Sequence, residues 1–368
     1  MKRHNAWRFR TWAVGIAGMA CLGVASAWGQ WSTQTFQLSN GWNAVYLRVE
    51  PDDASCDVVF SNWPVAHVSL YSMESARASF LSTPDEPLDM EAEYLTWRPG
   101  LPAGANALNS VDAGHAYLMY ATQACTRVLT GRPAVPRLEW VPGAQGTNSY
   151  NLMGFCHSST STFGTYLSGA GFDPAKLSVY RAGGTNRPSP SFYSLGGFSG
   201  SVATTPMDPG RAYFIACDKR SSFSGPVRVY PAGTGGIRFE ADNSRELLRL
   251  VNEHGAPLTV SLRMTNSAAA PGGELPVKPT MLYFDYLQGW ISLTSGVQKT
   301  LQAGEEWTLP LAVDRTGMAA DKSYGGLLIC ADSAGGRVEI PLEAEYGAAS
   351  AASALWPAGL WVGKASLD

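Results

Sequence analysis

The chain has 368 residues, 15% of them charged and 45% hydrophobic, with 39 glycines, 23 prolines and a formal net charge of −3. That balance excludes an intrinsically disordered chain, which needs low hydrophobicity and high charge, and it excludes collagen, which needs glycine at every third position. What remains is a folded, turn-rich protein, and frequent turns bounding short apolar runs point to many short strands.

The chain opens on a basic stretch with Lys2, Arg3, Arg8 and Arg10, followed by 17 uncharged residues from Thr11 to Ala27 that close on Ala25-Ser26-Ala27. This is the pattern of a cleaved secretory signal, residues 1–27. The stretch is too short and too glycine-rich for a membrane anchor. Cleavage leaves 23 basic against 30 acidic residues, a net charge of −7. A negative mature chain argues against nucleic acid and anionic lipid as partners, and no later stretch is long and apolar enough to span a bilayer as a helix. The expected location is secreted, periplasmic or cell-surface.

Next comes a repeated pattern. A first block runs Asn43-AVYL, His67-VSLY, Ser79-FLS, Asp112-AGHAYLMY and Arg127-Val128; a second runs Asn151-LMGF, Lys176-LSVY, Ser191-FYS, Asp208-PGRAYFIA and Arg228-Val229. Matches in one order, with one large change of length between Ser82 and Asp112, mark two related modules of about 100 residues, taken here as 31–134 and 135–235. In each, Asp112 or Asp208 starts a turn, Gly114 or Gly210 supplies a positive φ, and Tyr117 or Tyr213 enters a buried strand.

Residues 236–346 alternate strictly in Pro257–Thr265, Trp307–Val313 and Val338–Ala344, the period of half-buried antiparallel strands in a two-sheet sandwich. Pro310 and Pro341 fall inside these runs and require edge or bulge positions. Residues 347–368 read as a small-residue linker and the start of a further, truncated module. The fold class expected is all-β: two tandem related β modules followed by an Ig-like β-sandwich.

On these residues the chain resembles the N-terminal region of large secreted, multi-module β proteins of environmental bacteria. There a repeated segment opens with a GWN strand, as in Ser39-NGWNAVYL, and closes with G-x-A-Y, as at Gly114 and Gly210, before an Ig-like module. Gly235 to Leu250, then VNEHGAPLTVSL, and LQAGEEWTLPLAVD with YGGLLI are similar to the abnormal-spindle/hydin-like and BACON-like groups of Ig-like domains. The resemblance implies a spacer or binding appendage of an exported protein, and its motifs carry no catalytic residue. The second copy departs from the pattern, with Ser149-Tyr150-Asn151 where the first has Gly41-Trp42-Asn43.

No constellation of catalytic residues stands out. His67, His115, His157 and His254 are scattered without HExxH spacing, and Gly196 to Gly200 lacks the spacing of a nucleophile elbow. No enzyme activity is expected. The densest charge is Asp85, Glu86, Asp89, Glu91 and Glu93, a candidate Ca²⁺ site or, less favoured, a hydrolase acid and base; a solvated loop is the competing reading. Trp63, Trp97 and Trp290 stand beside turn residues and are candidate platforms for a polysaccharide, whereas Trp42, Trp140 and Trp307 lie in strand patterns and are expected in the core. Cys156 with Cys217, and Cys56 with Cys125, are candidate disulfides, and Cys330 reads as a buried thiol. The leading expectation is an exported, non-enzymatic structural or interaction protein, of spacer or adhesion type, with a polysaccharide or another cell-surface protein as partner.

Overall fold

The computed structural model describes residues 30–71, 94–102, 104–142, 150–158, 161–186, 189–233 and 235–347. Residues 1–27, expected as a signal segment, the five acidic residues Asp85, Glu86, Asp89, Glu91 and Glu93, and residues 348–368 lie outside the described residues.

The architecture is all-β. The first module holds β1 (Ser32–Leu38), β2 (Gly41–Tyr46), β3 (Val49–Pro51), one turn of helix α1 (Cys56–Val59), β4 (Val65–Tyr71), β5 (Tyr94–Trp97), β6 (Ala116–Ala121) and β7 (Cys125–Pro133). Its strands form two sheets, in the orders β1-β7-β3 and β2-β6-β4-β5. Phe36, Leu38, Val45, Phe60, Val68, Trp97, Tyr117 and Met119 fill the space between the sheets.

The second module holds β8 (Asn151–Gly154), helix α2 (Phe163–Leu167), β9 (Ser178–Gly183), β10 (Ser191–Gly197) and β11 (Ala212–Ala216). They form one sheet in the order β10-β9-β11-β8. This is the order β5-β4-β6-β2 of the first module, with a short helix between the sheet's first two strands in chain order (β2 and β4, β8 and β9) in both. The register agrees too: Asn43 lies opposite Met119, and Asn151 opposite Ile215. It also corrects two sequence matches. Val68 faces Met119 as Val179 faces Ile215, so Val179 rather than Leu177 is its counterpart. The strand at Ser191 occupies the place held in the first module by Tyr94–Trp97, not by Ser79, which lies outside the described residues.

The central strands of both modules are apolar on both faces, AYLMYA in β6 and AYFIA in β11. One face of each looks into its own module. On the other, Trp42, Ala44, Tyr46, Ala116 and Leu118 meet Ala182, Ala212 and Phe214 in a single core shared by the two sheets. The small residues on this face let the sheets approach closely: a Cβ at Gly154 would fall within the Tyr46 side chain. Main-chain bonds cross the seam, from Trp42 N–H to Gly184 O at 2.8 Å and from Tyr46 N–H to Gly210 O at 2.9 Å.

The third unit contains β12 (Val227–Tyr230), β13 (Ile237–Phe239), β14 (Arg245–Asn252), β15 (Leu258–Asn266), β16 (Thr280–Asp285), β17 (Gly289–Ser292), β18 (Val297–Leu301), β19 (Glu306–Asp314), β20 (Tyr324–Asp332) and β21 (Arg337–Ala344). Two five-stranded sheets, β12-β14-β19-β16-β17 and β13-β21-β20-β15-β18, make the sandwich. Val227–Tyr230, placed by the sequence at the end of the second module, pairs with β14 and belongs here. Both prolines sit where a neighbour stops. The pairing of β19 with β16 reaches Leu311 and ends before Pro310, and the pairing of β21 with β13 begins at Leu342, just past Pro341. Each is a local edge, where a missing N–H is tolerated.

The sandwich is joined to both modules. Arg337 N–H donates to Cys156 O at 3.0 Å and Ser158 N–H to Gly335 O at 2.7 Å. At the other junction Trp31 bridges Ala268, Gln30 Nε2 donates to Glu343 Oε2 at 3.3 Å, and Ser32 Oγ to Glu339 Oε2 at 2.6 Å. Burial holds the Glu343 carboxyl up, to about 7, against the opposing charge of Arg238.

Candidate functional site

The sequence motifs found twice in the chain resolve into scaffolding. Buried Asn43 accepts from Ser39 N–H at 2.9 Å and donates to Ser39 O and Gly41 O, locking the entry of β2. Asn151 does the same for β8 through Val141, accepting its N–H at 2.9 Å and donating back to its carbonyl at 3.0 Å. Gly41 has φ +94° and its Cα side abuts Gly184 O, so the first GWN position demands glycine. In the D-x-G-x-A-Y element, the Tyr117 hydroxyl accepts the Asp112 N–H at 2.8 Å and the Tyr213 hydroxyl the Asp208 N–H at 2.9 Å. Each tyrosine ties the turn to the strand that follows it.

The three tryptophans proposed as a polysaccharide platform do not form a row. Trp97 is 3% exposed and its Nε1–H donates to Asp57 Oδ1 at 2.8 Å, from α1. Trp63 is half-buried, with ring centroids 5.4 Å from both Phe36 and Phe60. Both belong to the first module's core, which corrects the expectation of exposure: the turn residues beside them are at the surface, but the indoles point inward. Of the tryptophans expected in the core, Trp42 and Trp140 are buried, while Trp307 is half-buried.

The disulfide expectations are also corrected, since Cys56, Cys125, Cys156, Cys217 and Cys330 are free thiols. β8 and β11 run antiparallel with Gly154 opposite Ala212 and Asn151 opposite Ile215. Cys156 therefore follows one end of the pair and Cys217 the other, where it takes a 3.6 Å contact from Asn151 Nδ2. Cys56 is wholly buried on α1, while Cys125 lies opposite Leu38 at the start of β7. Cys330 is buried, as expected.

Among the described residues no three or more His, Cys, Asp or Glu side chains are grouped to hold a metal ion. The proposed Ca²⁺ carboxylates fall outside those residues. His157 is buried with Nδ1 2.6 Å from Ser158 O, and burial lowers its pKa. It sits in a packed junction rather than at a surface.

The remaining tryptophan leads to a surface feature. β16 and β17 form a hairpin in which Phe284 pairs with Trp290 and Asp285 with Gly289. Gly289 has φ +81°, and Asp285 Oδ1 accepts the N–H groups of Leu287 and Gln288 at 2.9 Å, which fixes the turn. The turn lifts Tyr286 and Leu287 into solvent, 74% and 96% exposed. Phe284 supports them: its ring lies 5.5 Å from Tyr286 and 5.3 Å from Trp290, and the Arg245 guanidinium stands over the Trp290 ring at 5.7 Å. The base of the hairpin is thus braced, and its tip is apolar and exposed among the described residues. Sequence reasoning reached Trp290 but missed Phe284, Tyr286 and Leu287; the run FDYLQGW, two aromatic strands around an Asp-to-Gly turn, carried the signal.

No protein-family model matches the chain, and no curated protein does. Among solved structures, an ASH/PapD-like domain of human CEP192 (PapD-like domain 7) is similar at 11% identity and a TM-score of 0.22, covering 33% of this chain and 84% of that one. Escherichia coli alpha-2-macroglobulin activated by porcine elastase is similar at 9% identity and a TM-score of 0.17, covering 86% of this chain and 33% of that one.

Proposed function

We propose that this chain is an exported, non-enzymatic interaction protein of the bacterial envelope or exterior, whose sandwich holds an apolar hairpin out toward a partner protein. The observation that supports this reading is the Tyr286–Leu287 tip on its braced base. Large apolar side chains presented on a fixed turn supply the contact area that interface anchors use. A sugar platform needs an open aromatic face, and the Trp290 ring has Arg245 over it and Phe284 against it. The reading also rests on the basic and apolar opening segment of the sequence and on the resemblance to secreted multi-module proteins.

A photo-reactive residue at Leu287, in cells that export the chain, tests it. The expected result is one discrete protein adduct that excess unlabelled chain competes away and that Tyr286→Ser reduces. The same group at Val128, 61% exposed on the first module, should give no such adduct. Equal labelling from both positions would refute the proposal, and binding to a glycan array lost in Trp290→Ala would replace it with the polysaccharide reading.

A further inference from the structure

One sheet of the sandwich carries an apolar strip on its outer face. Leu248 and Leu309 point into the core, as does Met281. Side chains alternate along a strand, so Leu247, Pro310, Leu282 and Phe284 point the other way. Pairing brings them together: Leu247 lies opposite Pro310, Leu282 opposite Ala312 and Phe284 opposite Trp290. Leu247 is 55% exposed, and Pro310, Leu282 and Phe284 are partly exposed. Arg249 and Glu306, which border the strip, pair with each other at 3.2 Å, so its edge carries neutralised charge. The strip runs from the start of β14 to the base of the hairpin.

The described chain ends at the same side of the sandwich. Arg315, 4% exposed, fixes the exit: its Nε donates to Glu345 O at 3.2 Å and its Nη2 to Asn243 O at 3.0 Å. Gly347 abuts Ala241, since a Cβ there would fall on the Ala241 carbonyl oxygen. Ala241 stands six residues before Leu247, which places the two within about 21 Å of each other, and the turn closed by Asn243 N–H on Glu240 O at 3.0 Å shortens that distance. Residues 348–354 are all alanine or serine, and residues 355–362 read LWPAGLWV, with no charge and with Leu355, Trp356, Leu360, Trp361 and Val362 as large apolar side chains. Eight steps from Gly347 to Leu355 span up to about 28 Å, enough to reach Leu247.

We propose that residues 355–362 of this chain dock on the outer strip of Leu247, Pro310, Leu282 and Phe284. The segment is uncharged and apolar, as the strip is, and it leaves the sandwich within reach of it. A linker this short holds it at an effective concentration of about millimolar, against which a second copy or a separate protein has to compete. Covering the strip buries apolar surface of both, and it leaves the hairpin tip, Tyr286 and Leu287, outside the contact.

The docking is independent of what the tip binds, and the experiment keeps the two apart. A photo-reactive residue replaces Leu247 in the full chain, which is irradiated at two concentrations tenfold apart, and the adducts are mapped by mass spectrometry. The expected result is an intrachain adduct to residues 355–362 whose yield does not change with dilution. It should fall at least fivefold when Trp356→Ser, Leu360→Ser and Trp361→Ser are combined, and the same triple variant without the photo-reactive group should bind at least threefold more of an apolar-surface dye. Leu287→Ser should leave the adduct unchanged, and the same group at Gln298, exposed on the other sheet, should not form it. An adduct joining two chains would overturn the proposal in favour of a second copy on this face. An intrachain adduct elsewhere, none at all, or dye binding unchanged in the triple variant would overturn it outright.

Discussion

The two N-terminal modules build their larger sheets alike and complete them differently. In the first, β7 follows the sheet directly and pairs with β1 and β3 to close a sandwich around Phe36, Phe60 and Trp97. In the second, the matching position in the sequence pattern, Arg228-Val229, lies in β12 and is taken by β14 of the sandwich. The second module covers its outer face instead with α2 and with Trp140, whose Nε1–H donates to Phe223 O at 2.7 Å. One strand pattern therefore serves two destinations, and which sheet it joins is decided by neighbours far away in sequence. What the modules keep in common is the shared face between them.

The sharpest break of this comparison is Phe214→Ala. Phe214 is 3% exposed in the shared core, against Tyr71 and Phe192. Its loss should cost about 3–5 kcal/mol in denaturant unfolding, with both modules lost in one transition. Two separate transitions would mean that the modules fold independently. Next come Tyr117→Phe and Tyr213→Phe, which strip the acceptor from the Asp112 and Asp208 N–H groups. Each should destabilise by about 1–3 kcal/mol, and by similar amounts if the modules are equivalent. A large effect in one and none in the other would break the equivalence.

A smaller effect concerns the junction with the sandwich. The usual glutamate value is 4.5 and burial brings Glu343 to about 7, so between these the native chain keeps a proton that the unfolded chain has released. Stability is thus greatest below the lower value and falls as pH rises through the upper one. Glu343→Gln should flatten that slope and raise stability at pH 8 by about 1 kcal/mol, after screening by Arg238. An unchanged pH profile would remove the junction from the account. Smallest of all, a reductant should leave the melting temperature of the purified chain where it was, since a bridge lost from either module would cost about 2–4 kcal/mol.

The strands were legible because period-two alternation and turn residues are local signals, and the matching strand order of the two larger sheets follows the order of the sequence matches. Pairing was not. Cys156 and Cys217 each end an apolar run, yet antiparallel order sends them to opposite ends of one ladder. Trp97 precedes an Arg-Pro-Gly turn and reads as exposed, but Asp57, 40 residues earlier, takes its N–H. The hairpin tip was half legible: Trp290 stood out by residue type, whereas the exposure of Tyr286 and Leu287 depends on which side of the sandwich sheet β16 presents.

The contact between Gln30 and Glu343, 313 residues apart, brings the two ends of the described chain together on the sandwich. Tension drawn between Gln30 and Gly347 would load that junction and the Trp31–Ala268 bridge first, and the two modules would carry none of it until those gave way. Mechanically the two modules are a side arm of the sandwich rather than a link in series with it.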